Sequence, residues 1–243
     1  MNKSLQSLNR HYFLTAGVVL LIAFTVMRGL GMLGSIFAQP LLPLSFVLMA
    51  VIPFILLSRT DRTTIGLKRC TSYQSYMVAL ILGSMAAWIC YIIGTSLFHL
   101  SNDNWYVTIK NFYLNNPAYN SATPLWQTFL IFTVPALIFS PIGEEIFFRG
   151  FFQESLKLNF TERTSTLIEC TCFGIIHLFH HGLVVYNSNV IFVPFSGVIW
   201  AALMASVAFM LVQIRKDSQS LYPAMVCHAS FNLSMNTIIF FLV

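Results

Sequence analysis

Apolar positions in this chain fall into long unbroken runs and do not alternate with polar ones. Phe13–Met27, Met77–Phe98 and Val190–Val212 contain no charged residue at all. A membrane β-barrel would read as segments of about ten residues with alternating polarity. Continuous runs approaching or exceeding about 20 residues read as helices that cross about 30 Å of hydrocarbon. Helices and closed barrels are the two structures that satisfy every backbone hydrogen bond in lipid. The pattern therefore predicts an all-α, polytopic transmembrane helical bundle. Its spans are expected at about 13–37, 41–58, 76–98, 125–148, 165–181, 190–213 and 221–243. That gives seven spans, with a short segment near 181–190 as the eighth in the alternative count.

Composition agrees with the pattern. Of 243 residues, 57% are hydrophobic and 9% charged, against about 25% charged in soluble domains, and the mean hydropathy is +0.75. The chain reads as one integral membrane domain over residues 1–243. The apolar run after Lys3 and Arg10 is longer than the h-region of a cleaved signal peptide, so it is read as a retained first span. Five cysteines, mostly inside apolar runs, suggest packing and no disulfide framework.

The distribution of charge then orients the bundle. Lys3, Arg10, Arg59, Arg62, Lys68, Arg69, Arg149, Lys157, Arg163, Arg215 and Lys216 fall on one side of the expected spans. These eleven face a single Lys110 in the alternate loops, and Arg28 lies within span one. The positive-inside rule puts the N-terminus in the cytoplasm and the C-terminus outside, as expected for the plasma or inner membrane of a cell. The formal net charge of +5 is thereby explained as topology and calls for no nucleic-acid partner. The polar stretch His99–Thr123, on the outer side, can serve as a lid or as a plain connector.

Ionisable residues inside the expected spans are where chemistry is sought, because charge in hydrocarbon is costly. Span four ends Pro141-Ile142-Gly143-Glu144-Glu145-Ile146-Phe147-Phe148-Arg149-Gly150. Glu145 and Arg149 stand four residues apart and can pair along one helical face. Glu144 points about 100° away and lacks that built-in partner, which suits a buried general base. A cluster of charges at a helix end, set among lipid headgroups, is the plainer reading. The second element is Phe173-Gly174-Ile175-Ile176-His177, followed by His180 and His181. One histidine in a span can simply be a packed, hydrogen-bonded residue, and His177, His180 and His181 together can grip a metal. In the third element, His228 and Asn232 present imidazole and amide on one helical face, useful either for chemistry or for interhelical hydrogen bonds. At 1.5 Å per residue, His228 lies about 10 Å and Asn232 about 16 Å from the basic end of their span. Glu144 lies about 6–10 Å and His177 about 21 Å from that end. The set is compatible with one site about 10–15 Å deep, with His177 as the outlier.

Taken together, Glu144-Glu145-x-x-x-Arg149, Phe173-x-x-x-His177 and His228-x-x-x-Asn232 resemble the family of prenyl-protein (CAAX) proteases and bacteriocin-processing or immunity enzymes, the CPBP or Abi family. The resemblance covers about residues 125–235, a family-like catalytic core. It implies an intramembrane endopeptidase acting on a membrane-associated protein or peptide precursor. By motif position Glu144 would activate water with help from His177, and His228 and Asn232 would stabilise the oxyanion. Glu145 with Arg149 would fix the helix. Two versions stay open: a zinc ion held by Glu144, His177 and His228, or a hydrolysis that depends on glutamate without metal. Two other functions use the same residues, a non-catalytic immunity or scaffold protein of this fold and an ion-coupled transporter.

Overall fold

The computed structural model describes residues 10–34, 37–116, 118–186 and 189–243. Lys3, one of the charges expected to orient the chain, lies outside them. The described chain is helical apart from one small hairpin. Its longer elements are α1 (Arg10–Leu33), α2 (Leu41–Leu56), α4 (Tyr73–Phe98) and α6 (Leu125–Glu144). After them come α8 (Glu162–Ile176), α9 (Pro194–Ser218) and α10 (Leu221–Phe241). Short helices α3 (Arg59–Thr64), α5 (Trp105–Leu114) and α7 (Gln153–Lys157) lie between them.

Among the described residues, five helical segments are long and apolar enough to cross a membrane: His11–Leu33, Tyr73–Phe98, Leu125–Lys157, Pro194–Ser218 and Leu221–Phe241. The remaining two expected spans are helices of 16 residues (α2) and 15 residues (α8), shorter than the ~20 residues usual for a crossing. Polarity is inverted relative to a water-soluble protein. Val18, Val19, Ile22 and Val26 of α1 and Ile81, Met85, Ile89 and Ile92 of α4 are exposed, whereas Arg28, Glu144, Glu145, Arg149 and Glu169 are buried. Such a surface suits lipid, and the interior holds the charge. These features fit a multi-pass membrane protein.

Two sequence expectations are corrected. The segment near 181–190 is no eighth span. Leu183–Tyr186 (β1) pairs antiparallel with Asn189–Phe192 (β2), and α9 begins only at Pro194, a residue well suited to a helix's first turn. The fourth span does not end at 148 either. It continues through a π-helical segment, Glu145–Phe152, into α7, so that the whole run reaches Lys157. Arg149 is therefore interior and fully buried. It belongs to no headgroup cluster and drops out of the orienting charges.

Helix packing explains how the interior is positioned. On α4 the buried residues Ala79, Gly83, Ala87, Cys90 and Gly94 form a stripe of small side chains that lets a neighbouring backbone approach. That neighbour is α10: a Cβ at Gly83 would collide with the carbonyl of Cys227. Serine hydrogen bonds close the seam, with Ser84 and Ser230 hydroxyls 2.9 Å apart and Ser234 donating to Ser84 at 3.0 Å. Gly143 does the same for α6 and α2, since a Cβ there would collide with the carbonyl of Phe46. At the basic end, Arg215 of α9 donates to the Ile65 carbonyl (3.1 Å), Gln153 (3.1 Å) and Glu154 (2.7 Å). That clamp ties α9, α7 and the turn after α3 together.

Candidate active site

The two adjacent glutamates fall at a change of helix type. Glu144 closes α6 and Glu145 opens the π-helical segment, all eight residues of which are buried. A π-helix is rare and is found mostly at functional sites, where it re-aims side chains that a regular helix would place elsewhere. Glu145 and Arg149 pair within the segment, with Nε 3.4 Å from a carboxylate oxygen. Arg149 also lies 3.5 Å from Glu169 of α8, and its guanidinium stands 4.0 Å over the Phe173 ring. Glu144 points elsewhere. It is not unpartnered, however, and here the sequence expectation is overturned: Arg28 of α1, fully buried, donates to one of its carboxylate oxygens.

His228 lies between the two carboxylates. Its Nδ1 is 2.9 Å from Glu145 Oε1, and its Nε2 is 3.7 Å from Glu144 Oε2. An ionised carboxylate only accepts, so Nδ1–H donates to Glu145. This is the arrangement by which a carboxylate fixes an imidazole's tautomer and orientation. His177, just past the end of α8, is set in the same manner by backbone. Its Nδ1–H donates to the Phe173 carbonyl at 2.7 Å, which leaves Nε2 as an acceptor. The Trp200 indole donates to the His177 carbonyl at 3.1 Å. Phe173 is a shared platform, its ring centre 4.4 Å from that of His177 and 6.3 Å from that of His228. Asn232, one turn beyond His228, donates one amide hydrogen to the Ala136 carbonyl at 2.9 Å.

A cavity of about 720 Å³ brings these groups into one space, within the range usual for ligand sites. His177, His180, His228 and Asn232 line it, with mostly apolar walls from α2, α5, α6, α9 and α10. Glu144 borders it through His228. The remaining motif groups, Glu145 and Arg149, are held behind the cavity wall. His177 is not within ion-pair distance of either glutamate and meets the others through the cavity and Phe173.

Residues 126–234 match the family model described as Rce1-like, type II CAAX prenyl endopeptidase. The match supports the CAAX protease family for this segment. At a significant level the chain matches no curated protein and no solved structure. The Rce1-like segment contains all three motifs and every helix that carries them, from most of α6 to the middle of α10. CAAX prenyl endopeptidases are proteases, and a membrane-associated substrate suits both the family and the spanning helices.

Zinc can be tested against the arrangement within the Rce1-like segment. Among the described residues, no three His, Cys, Asp or Glu side chains gather as a ligand set. Glu144 is already held by the Arg28 guanidinium, whose charge opposes a cation at that carboxylate. As arranged, Glu144, His177 and His228 do not fit a zinc site. The set His177, His180 and His181 does not form either. The ring nitrogens of His181 are taken by Thr108 (2.9 Å) and Ser196 (2.8 Å), which makes it a strut between α5 and α9.

Two charged members of the cluster escaped the sequence reading. Arg28 was read only as a stray charge in span one, and Glu169 was not singled out. Both carried a usable signal: an ionisable residue inside an apolar span is by default functional, and each needs a partner.

Proposed function

We propose that this chain is an intramembrane endopeptidase that hydrolyses a peptide bond of a membrane-associated protein or peptide precursor with water activated by Glu144. The single observation behind this reading is the convergence of His177, His228 and Asn232 on one largely apolar cavity, with Glu144 immediately behind His228. An apolar cavity with a few convergent polar groups suits a membrane-borne substrate.

In this reading Glu144 takes a proton from water while the oxygen attacks the carbonyl carbon. The Nε2 of His177 is free to accept a hydrogen bond from the same water. The oxyanion is met by the second amide hydrogen of Asn232 and by the Nε2–H of His228 in its doubly protonated form, since Nδ1–H is committed to Glu145. Such preorganised donors supply several kcal/mol. Glu144 then returns its proton to the leaving amine. Glu145 and Arg149 are positioning residues, because Glu145 orients His228 and Arg149 holds Glu145. No metal enters this scheme. In the same reading the chain crosses seven times, with α2 and α8 as short crossings, and its N-terminus is cytoplasmic in a plasma or inner membrane. Without Arg149, ten basic residues still flank the spans on that side against Lys110 alone. Residues 1–243 act as one membrane domain.

The test compares the membrane and secreted peptides of cells that express the wild type with those of cells that express Glu144→Gln at equal level. Cleavage products that vanish with the variant support the reading. An unchanged peptide profile, or full activity of purified Glu144→Gln, contradicts it.

A further inference from the structure

Arg28 lies on α1, outside the segment that matches the family and 116 residues from Glu144 along the chain. It is among the largest fully buried side chains of the molecule. One terminal nitrogen meets Glu144, while Nε and the other terminal nitrogen have no hydrogen-bond partner within the protein. The guanidinium carbon stands 5.2 Å from the centre of the Phe46 ring on α2, and the Phe46 backbone packs closely on Gly143, the neighbour of Glu144.

Arg28 supplies the counter-charge of Glu144, and its placement does more than neutralise. Arg149 already serves Glu145 and Glu169, so each of the adjacent glutamates has an arginine of its own. The contact with Arg28 is also asymmetric. It engages Oε1 of Glu144, while Oε2 has no hydrogen-bond partner and points toward Nε2 of His228 at 3.7 Å. Holding one oxygen of a carboxylate fixes the direction of the other.

We propose that Arg28 is a positioning residue for the hydrolysis, supplied by α1: it pins one oxygen of Glu144 so that the other is presented toward His228 and the cavity. The proposal rests on the reading of Glu144 as the base. It means that the Rce1-like segment does not hold a complete site by itself, and that the first helix contributes to the chemistry.

Purified Arg28→Gln, Arg28→Lys and Glu144→Gln, each checked for thermal stability in detergent, test this on a peptide substrate cleaved by the wild type. Misplacement of a reacting group by about 1 Å costs about a hundredfold, so Arg28→Gln is expected to lower kcat by about that factor. KM should stay within about threefold, because Arg28 does not line the cavity, and Arg28→Lys should recover about tenfold of the loss. Wild-type kcat in Arg28→Gln, with Glu144→Gln inactive, overturns the role of Arg28 and leaves the peptidase reading intact. Activity in Glu144→Gln overturns both. If Arg28→Gln does not fold, Arg28→Lys carries the test: a lowered kcat at unchanged KM supports the proposal, and wild-type kcat or an altered KM overturns it.

Discussion

Two faces of one helix, α10, show how this molecule separates cohesion from chemistry. Cys227, Ser230 and Ser234 form one stripe and meet the small-residue face of α4. His228, Asn232 and Asn236 form the next stripe, offset by about 100°, and line the cavity. Both stripes repeat every three to four residues, yet their energetics differ. The α4 seam depends on backbone proximity and weak hydroxyl contacts. The site depends on charges that are tolerable only because each has a partner. A seam of the first kind can lose a contact and persist, whereas a buried ion network that loses one member leaves another uncompensated.

The largest expected effect follows from that asymmetry. Arg149→Leu leaves Glu145 and Glu169 without their shared cation, which should destabilise the fold by about 3–5 kcal/mol and abolish cleavage. Thermal unfolding in detergent checks it, and a variant as stable as the wild type would mean that the cluster is not the connected unit its distances suggest. Gly83→Val attacks the other face. Overpacking the α4 seam should cost about 1–3 kcal/mol, while the fraction that stays folded keeps its kcat. A strongly reduced kcat in well-folded Gly83→Val would show that the two faces are coupled. The smallest effect belongs to Ser84→Ala, which removes two hydroxyl contacts worth about 0.6 kcal/mol each. Its melting temperature and activity should lie close to wild type, and a loss as large as that of Gly83→Val would assign the seam to hydrogen bonding and not to close approach.

How much of this was written in the sequence depends on distance along the chain. The pairing of Glu145 with Arg149 could be read because four residues make one helical turn. The grouping of the three motifs rests on their order and their resemblance to a known family, with helical depth compatible and His177 the outlier. The partner of Glu144 could not be read, because Arg28 reaches it only through the tertiary packing of α1 against α2 and the π-helical segment. The π-helical segment was hidden as well: Glu145–Phe152 has an ordinary amphipathic pattern, and the change in hydrogen bonding leaves no mark in residue type. Its consequence, a helix that runs on to Lys157, moved Arg149 from the surface to the interior. The hairpin at 183–192 was missed because Val190, Ile191 and Phe192 continue the apolar run of α9, although Pro194 marks where the helix starts.

The central claim is that Glu144 activates the water that cleaves the peptide bond. The most direct measurement is the turnover of purified Glu144→Gln against wild type on a peptide that the wild type cleaves, with both proteins shown to be equally folded. Loss of general-base catalysis predicts a fall in kcat of about 10²–10⁴-fold. Turnover equal to the wild type's would contradict the account.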